Sequence, residues 1–239
     1  ATSVRALTQY QSCPFGFLLK ECFNLEPRQR DAEGLTPLEE GEWLHAFLWR
    51  YYSMKKDDDP VILSSRDPQG RGISDPFDRL FDDTAAEMQK RWDKKIFESE
   101  RRYYRRLLKH FVEVEAIWHE EDTYVRSHFE WSFGAVPKEA RDPRSVEEGL
   151  RFLGGGLKLH GKVDRIDIDP ASKTFRVIDY KTGQSVPSAK EVQQGKGFQL
   201  TVYAMAVEEL LLKDYWPQEA CYYLVKAAER KRAFSLTER

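Results

Sequence analysis

The stretch from Leu159 to Lys181, LHGKVDRIDIDPASKTFRVIDYK, constrains this chain more than any other. Val163, Ile166 and Ile168 supply apolar β-branched residues to one predicted strand, and Phe175, Val177 and Ile178 supply a second. Asp169-Pro170-Ala171-Ser172-Lys173 between them is turn chemistry: Asp bonds the backbone ahead of it and Pro presets φ. Pairing Ile168 with Phe175 sets a register that puts Asp164 opposite Asp179. Side chains alternate along a strand, so Lys181 shares the face of Asp179. Two carboxylates and an amine therefore converge. Facing carboxylates repel, so a positive charge is needed between them. Lys181 is one candidate and a hard divalent cation such as Mg²⁺, which is held by few carboxylates, is the other. The alternative is a surface hairpin with charges on its wet face.

The rest of the chain bounds the class. It has 239 residues, 41% of them hydrophobic and 33% charged, enough for one large domain with a substantial core. The net charge of −2 gives no global nucleic-acid signature, so any such surface is local. Three cysteines, Cys13, Cys22 and Cys221, form neither a CxxC pair nor an even framework, which implies a reducing, cytoplasmic setting. No apolar run is long enough to span a membrane and no signal peptide is visible. The first residue is Ala1, as expected of a processed chain or one cut from a longer polypeptide.

Thr8-Gln9-Tyr10-Gln11 fits a capping box and predicts a helix start, with Pro14 interrupting it and an apolar pattern running on to Phe23. Residues 24–35 read as a loop. Thr36-Pro37-Leu38-Glu39 is a second capping box, with Pro at the first helical position. Residues 55–76 are rich in Asp, Pro, Gly and Ser and are expected to be exposed and mobile. Helical pattern returns from 76 to about 121. Between Lys90 and Lys109 it carries nine Lys/Arg against Asp93, Glu98 and Glu100, interleaved with Trp92, Phe97, Tyr103 and Tyr104. That run could track a phosphate backbone; we read its aromatics as core and leave its cations open. Thr123–Phe133 has strand character with Glu130 in its middle. Residues 134–156 and 184–197 read as loops, Phe198–Lys213 as a helix, Cys221–Val225 as a strand and Arg232–Leu236 as its partner. No Walker A pattern follows Gly154-Gly155-Gly156, since Lys162 precedes Val163.

Five elements in order carry a resemblance: Tyr10-Gln11-Ser12-Cys13-Pro14-Phe15, Gly41-Glu42-Trp43-Leu44-His45, Gly161-Lys162-Val163-Asp164-Arg165-Ile166-Asp167, Ile178-Asp179-Tyr180-Lys181-Thr182-Gly183 and Gln199-Leu200-Thr201-Val202-Tyr203. Together they resemble the RecB/AddB-like branch of the PD-(D/E)xK nuclease superfamily. The resemblance implies an α/β, restriction-endonuclease-like fold: a central mixed β-sheet flanked by helices, as a single domain over 1–239. Its core is 123–239 plus the helices in 8–53, with a helical insertion at about 55–122 that matches no motif.

The resemblance also implies a site. His45, Asp164 and Asp179 would bind a divalent metal, with the backbone carbonyl of Tyr180 as a further ligand. Such a donor set suits Mg²⁺ or Mn²⁺, imidazole favouring Mn²⁺. Asp164, Asp179 and Lys181 would be catalytic. Lys181 would activate the attacking water through a depressed pKa or else stabilise developing charge. Gln199 and Tyr203 would line the groove and contact DNA. Arg165 has two readings, a phosphate contact or a salt-bridge partner of Asp167, and we place it with the DNA-binding residues. Glu130 is either a carboxylate bearing on the metal from a neighbouring strand or an exposed strand charge. Members of the branch often carry an iron–sulfur cluster on one early and three late cysteines. Cys13 matches the first position and the late three have no counterpart, so no iron–sulfur cluster is expected in this chain. The implied activity is metal-dependent cleavage of DNA, on single strands or at ends, in recombinational repair, with a helicase domain or subunit as partner. A non-catalytic DNA-binding module on the same fold and a hydrolase of small phosphate esters are the alternatives.

Overall fold

The computed structural model describes residues 2–25, 35–54, 75–89, 94–120, 122–135, 141–183 and 185–235. The N-terminal segment holds β1 (Thr2–Ser3), α1 (Val4–Ser12), α2 (Pro14–Phe17) and a π-helical turn (Leu18–Cys22). Three longer helices follow, α3 (Pro37–Ser53), α4 (Asp75–Gln89) and α5 (Lys94–Glu120). The remaining elements are β2 (Val125–Phe133), β3 (Leu150–Phe152), β4 (Leu157–Asp169), β5 (Thr174–Lys181), α6 (Ala189–Gln193), α7 (Gln199–Leu210), β6 (Trp216–Leu224) and β7 (Glu229–Ser235).

The predicted hairpin is the spine of one mixed sheet. At 13 residues β4 is the longest strand, and it pairs with four others. Its first part meets β1 in parallel and β3 antiparallel; its second part lies between β2 and β5, both antiparallel. From β5 the sheet continues through parallel β6 to antiparallel β7. Ile168 pairs with Phe175, the register read from the sequence, and the turn closes through Asp169 Oδ1, which accepts from the Ala171 N–H at 2.9 Å. Helices cover both faces. One core joins α3, α4 and α5 to Ile178, Tyr180, Cys221 and Tyr223; the other joins α7 and Val4 to Val163, Ile166, Phe175, Val177 and Tyr222. Odd and even positions of β5 and β6 thus go to opposite layers, as a strand buried on both faces requires.

Several element boundaries differ from the sequence reading. The first helix starts at Val4, capped by Ser3, whose Oγ accepts from the Ala6 N–H at 2.9 Å. Thr8 is inside that helix and its hydroxyl donates to the Val4 carbonyl. The Thr36/Glu39 box is present as read. A Ser188/Glu191 box starts α6 inside 184–197, a stretch read as loop, and β6 starts at Trp216, ahead of Cys221. Within 134–156, β3 forms and Val146 bridges Phe133. The expected mobility of 55–76 falls almost wholly outside the described residues, as does most of the 24–35 loop.

The basic run on α5 divides in two. Arg101 and Arg105 are ion-paired to Asp82 and Asp78 of α4, while Arg102, Arg106 and Lys109 are exposed. Tyr104 is core, its ring 4.8 Å from Trp43. Trp92 and the side chain of Phe97 lie outside the described residues. Among the described residues no helix is long and apolar enough to cross a membrane.

Candidate active site

The strand alternation slips at two facing positions, and the site sits at the slip. Phe129 packs in the α3–α5 core, yet Trp131 and Phe133 pack in the α7 core. In an uninterrupted strand all three would share a face. The break is Glu130, a non-glycine residue at φ +56° in mid-strand. On β4, Val163 and Ile166, three apart, share the α7 core, so the phase slips beside Asp164. The pairings Phe129 with Arg165 and Trp131 with Val163 put Glu130 across from Asp164. A left-handed conformation costs such a residue about 1–3 kcal/mol and collects at functional positions.

Glu130, Asp164 and Asp179 therefore occupy one level of three neighbouring strands, all buried. The regular β4–β5 ladder ends at Arg165 and Ile178. One residue further, Asp164 Oδ2 accepts the Tyr180 N–H at 2.9 Å, so a side chain takes over a ladder bond. Helix α3 brings His45 in from above. Its Nε2 is 3.0 Å from the Tyr180 carbonyl, while Nδ1 lies 3.3 Å from Asp164 Oδ1 and 3.7 Å from Glu130 Oε1. One ligand atom each from His45, Glu130 and Asp164 falls within 4.8 Å of the others. Lys162 and Arg141 (3.5 Å) both lie against Glu130 Oε2, leaving Oε1 toward His45. Arg141 itself stacks on Trp49 at 4.4 Å.

Asp179 faces another way. Its Oδ1 accepts from Gln199 Nε2 at 3.0 Å. Lys181 Nζ lies 2.7 Å from Oδ2, so that buried oxygen is held by an ion pair. Asp179 is thus adjacent to the compact His45–Glu130–Asp164 group without being part of it.

The electrostatics sort these groups. Burial disfavours charge on Asp164, but His45 and the Tyr180 N–H outweigh it and hold the carboxyl below its ordinary range. Burial would likewise lower His45; Asp164 and then Glu130 hold it well above the ordinary histidine range. For Asp179 burial wins: with Asp164 adding repulsion against the pull of Lys181, its pKa is pushed up to about 6. Burial pulls Lys181 down and the Asp179 carboxylate more than offsets that, so Lys181 is raised. The direction is opposite to the depressed pKa of a lysine base and matches a cation held by Asp179.

A carboxyl pKa raised on folding stabilises the fold only where it is protonated, and that contribution disappears as pH rises from about 4 toward 6. Asp179→Asn is therefore expected to stabilise the protein in EDTA by about 2–3 kcal/mol at pH 7 and by almost nothing at pH 3. Urea unfolding at the two pH values measures this, and equal differences at both would refute it.

The residues expected to touch DNA separate. Arg165 requires correction: it is fully buried. Its Nε and Nη2 clasp Asp167 at 2.6 and 2.7 Å, Nη1 donates to Glu115 at 2.8 Å, and Tyr52 stacks on it at 4.8 Å. No phosphate reaches it, and the salt-bridge reading holds. Tyr203 is also buried, so its ring offers no DNA surface; its hydroxyl accepts from Gln199 Nε2 at 3.2 Å. A Cβ on Gly161 would fall 2.9 Å from Tyr203 Cε1, which is why the strand carries glycine there. Gln199 alone is half-buried, holding Asp179 with one side of its amide. Glu130 has two readings from sequence, because its place depends on a strand remote in sequence. Arg141 and Lys162 carry no sequence signal that singles them out.

This donor set of imidazole, carboxylates and a carbonyl fits a hard divalent cation. Comparison with known proteins agrees with the architecture. The chain is 27% identical over 219 residues to an ATP-dependent helicase/deoxyribonuclease subunit of Acetivibrio thermocellus, covering 87% of this chain and 18% of that protein. It is 27% identical over 213 residues to the corresponding protein of Desulfitobacterium hafniense, covering 84% and 16%, and 28% identical over 220 residues to that of Clostridium novyi, covering 86% and 18%. The chain thus spans under a fifth of the length of these curated relatives. The family model for the PD-(D/E)XK nuclease superfamily matches residues 1–238, so the sheet, the three-strand acidic level and nearly the whole sequence agree that this chain belongs to that superfamily.

Proposed function

We propose that this chain is a divalent-metal-dependent deoxyribonuclease module, hydrolysing phosphodiester bonds of single-stranded DNA or DNA ends. It would serve recombinational repair as the nuclease part of a helicase–nuclease. The observation that carries the reading is the His45–Glu130–Asp164 group, its ligand atoms within 4.8 Å, directly beside buried Asp179 and the cation Lys181. The names of the relatives, helicase/deoxyribonuclease subunits, support a DNA substrate and a helicase partner.

His45, Glu130, Asp164 and the Tyr180 carbonyl would hold Mg²⁺ or Mn²⁺, with Asp179 adjacent. When bound, such an ion polarises a phosphate and lowers the pKa of a coordinated water. The chain's own residues do the rest. Lys181, partly exposed and held protonated by Asp179, presents a fixed positive charge where negative charge accumulates on a five-coordinate phosphorus. Gln199 fixes the Asp179 carboxylate, and Tyr203 fixes Gln199. Tyr180 anchors Asp164 through its N–H.

End-labelled single- and double-stranded DNA incubated with Mg²⁺ or Mn²⁺ is expected to be cut. Cutting should stop in EDTA and in Asp164→Asn, and calorimetric titration should show that this variant binds Mn²⁺ at least about tenfold more weakly. Folded protein that binds Mn²⁺ and cuts no DNA would overturn the proposal in favour of a non-catalytic DNA-binding module.

A further inference from the structure

Beside the acidic level lies a cavity of 710 Å³ between α1, the π-helical turn and the first residue of α7. That is within the range of ligand pockets, and it admits a nucleotide of one strand but no duplex. The lining includes Arg5, Thr8, Gln9, Ser12, Lys20 and Gln199, and no carboxylate. Neither Arg5 nor Lys20 makes an ion pair among the described residues, although acidic and basic side chains are almost equal in number in this chain. The hydroxyls of Thr8 and Ser12 donate to the Val4 and Thr8 carbonyls, at 3.0 Å each, so their outward lone pairs are left as acceptors. Gln9 donates to the Gly16 carbonyl, tying the two helices that wall the cavity.

The cavity also communicates with the chemistry. Gln199 lines it and hydrogen-bonds Asp179. Helix α1 emerges from β1, which pairs Ser3 with His160, four residues before Asp164. Arg5 is near enough that its charge acts on Lys181. Two cations without an acidic partner among the described residues, neutral hydrogen-bonding groups and a largely apolar wall that includes Leu19 and Leu25, with no acid, form a lining complementary to a nucleotide, the cations to its phosphates and the apolar wall to its sugar and base.

We propose that this cavity seats the nucleotide adjoining the scissile phosphate on a single DNA strand, with Arg5 and Lys20 neutralising its backbone phosphates and Gln199 linking that subsite to Asp179. The assignment rests on the nuclease reading for the identity of the strand, and its test is independent of cleavage. Fluorescence anisotropy of a labelled twelve-residue oligothymidylate is measured in EDTA across a salt series. Arg5→Ala and Lys20→Ala are each expected to weaken binding about tenfold and to reduce the slope of log Kd against log salt by about 0.7, the value for one lost single-strand phosphate contact. Arg5→Lys should keep the slope. Arg5 is exposed and Lys20 half-buried, so melting temperatures should be nearly unchanged, and a variant that melts early is replaced by Arg5→Gln or Lys20→Gln. Unchanged affinity and slope, a weaker affinity with an unchanged slope, or no binding by the unsubstituted protein would each overturn the subsite. Arg5-dependent binding by protein that cuts no DNA would overturn the nuclease reading and leave the subsite standing.

Discussion

Lys181→Ala is expected to lower kcat on single-stranded DNA by about 10²- to 10³-fold, the cost of removing one preorganised positive group from a developing oxyanion. Two features make the effect large. Lys181 is paired at 2.7 Å with a carboxylate that has few other partners, so its position is set before substrate arrives. Its ammonium is also what restrains Asp179, whose pKa is already about 6. Without Lys181, that carboxyl rises further and is protonated over more of the neutral range. The variant should thus lose a charge at the phosphorus and an anion beside the metal group together. Single-turnover cleavage with Mg²⁺ measures the first as a fallen rate, and NMR titration of the metal-free proteins in EDTA measures the second as an Asp179 carboxyl that titrates higher in the variant. Circular dichroism should be unchanged, because the side chain is partly solvent-exposed. A rate within about threefold of the unsubstituted protein would remove Lys181 from the chemistry.

Arg165→Met should cost about 3–5 kcal/mol of folding stability, because it leaves opposing charges buried without their partner. Arg165 joins Asp167 to Glu115 between the sheet and α5, and Arg176 and Arg126 extend the network. Burial opposes charge on both carboxyls, yet the arginines hold Glu115 and Asp167 below the ordinary carboxylate range. The sign of the pH dependence follows. A depressed carboxyl pKa contributes stability that is complete above the unfolded value of about 4 and is lost as pH falls through the folded value. The gap between the two proteins in urea should therefore be widest above pH 5 and shrink toward pH 2. A loss under about 1 kcal/mol, or one independent of pH, would mean that Arg126 and Arg176 suffice without Arg165.

The hairpin register is legible in the sequence because it depends on local features alone: a turn that closes on Asp169 and β-branched residues on either side. From it, the opposition of Asp164 and Asp179 follows, with Lys181 on the same face. The Thr36 box is legible for the same reason, and so is the place of His45 on the helix it starts. Arg165 is not. Its neighbour in the chain is a metal-group aspartate, but alternation turns it to the other face, where Glu115, far away in sequence, fills the space a phosphate would need. Tyr203 carries the right motif spacing, and packing against Phe133 and Gly161 decides that it positions Gln199.

Sequence by itself determined the two strands of the central hairpin, their turn and the residue types at the acidic level, since these rest on propensity and a period of two. Tertiary structure decided which carboxylates meet. Glu130 joins Asp164 only because β2 returns beside β4 and breaks phase at a left-handed residue, and such a break costs energy that only long-range packing can repay. The same packing placed α1 against α7, bringing Arg5 and Lys20 to the edge of the site.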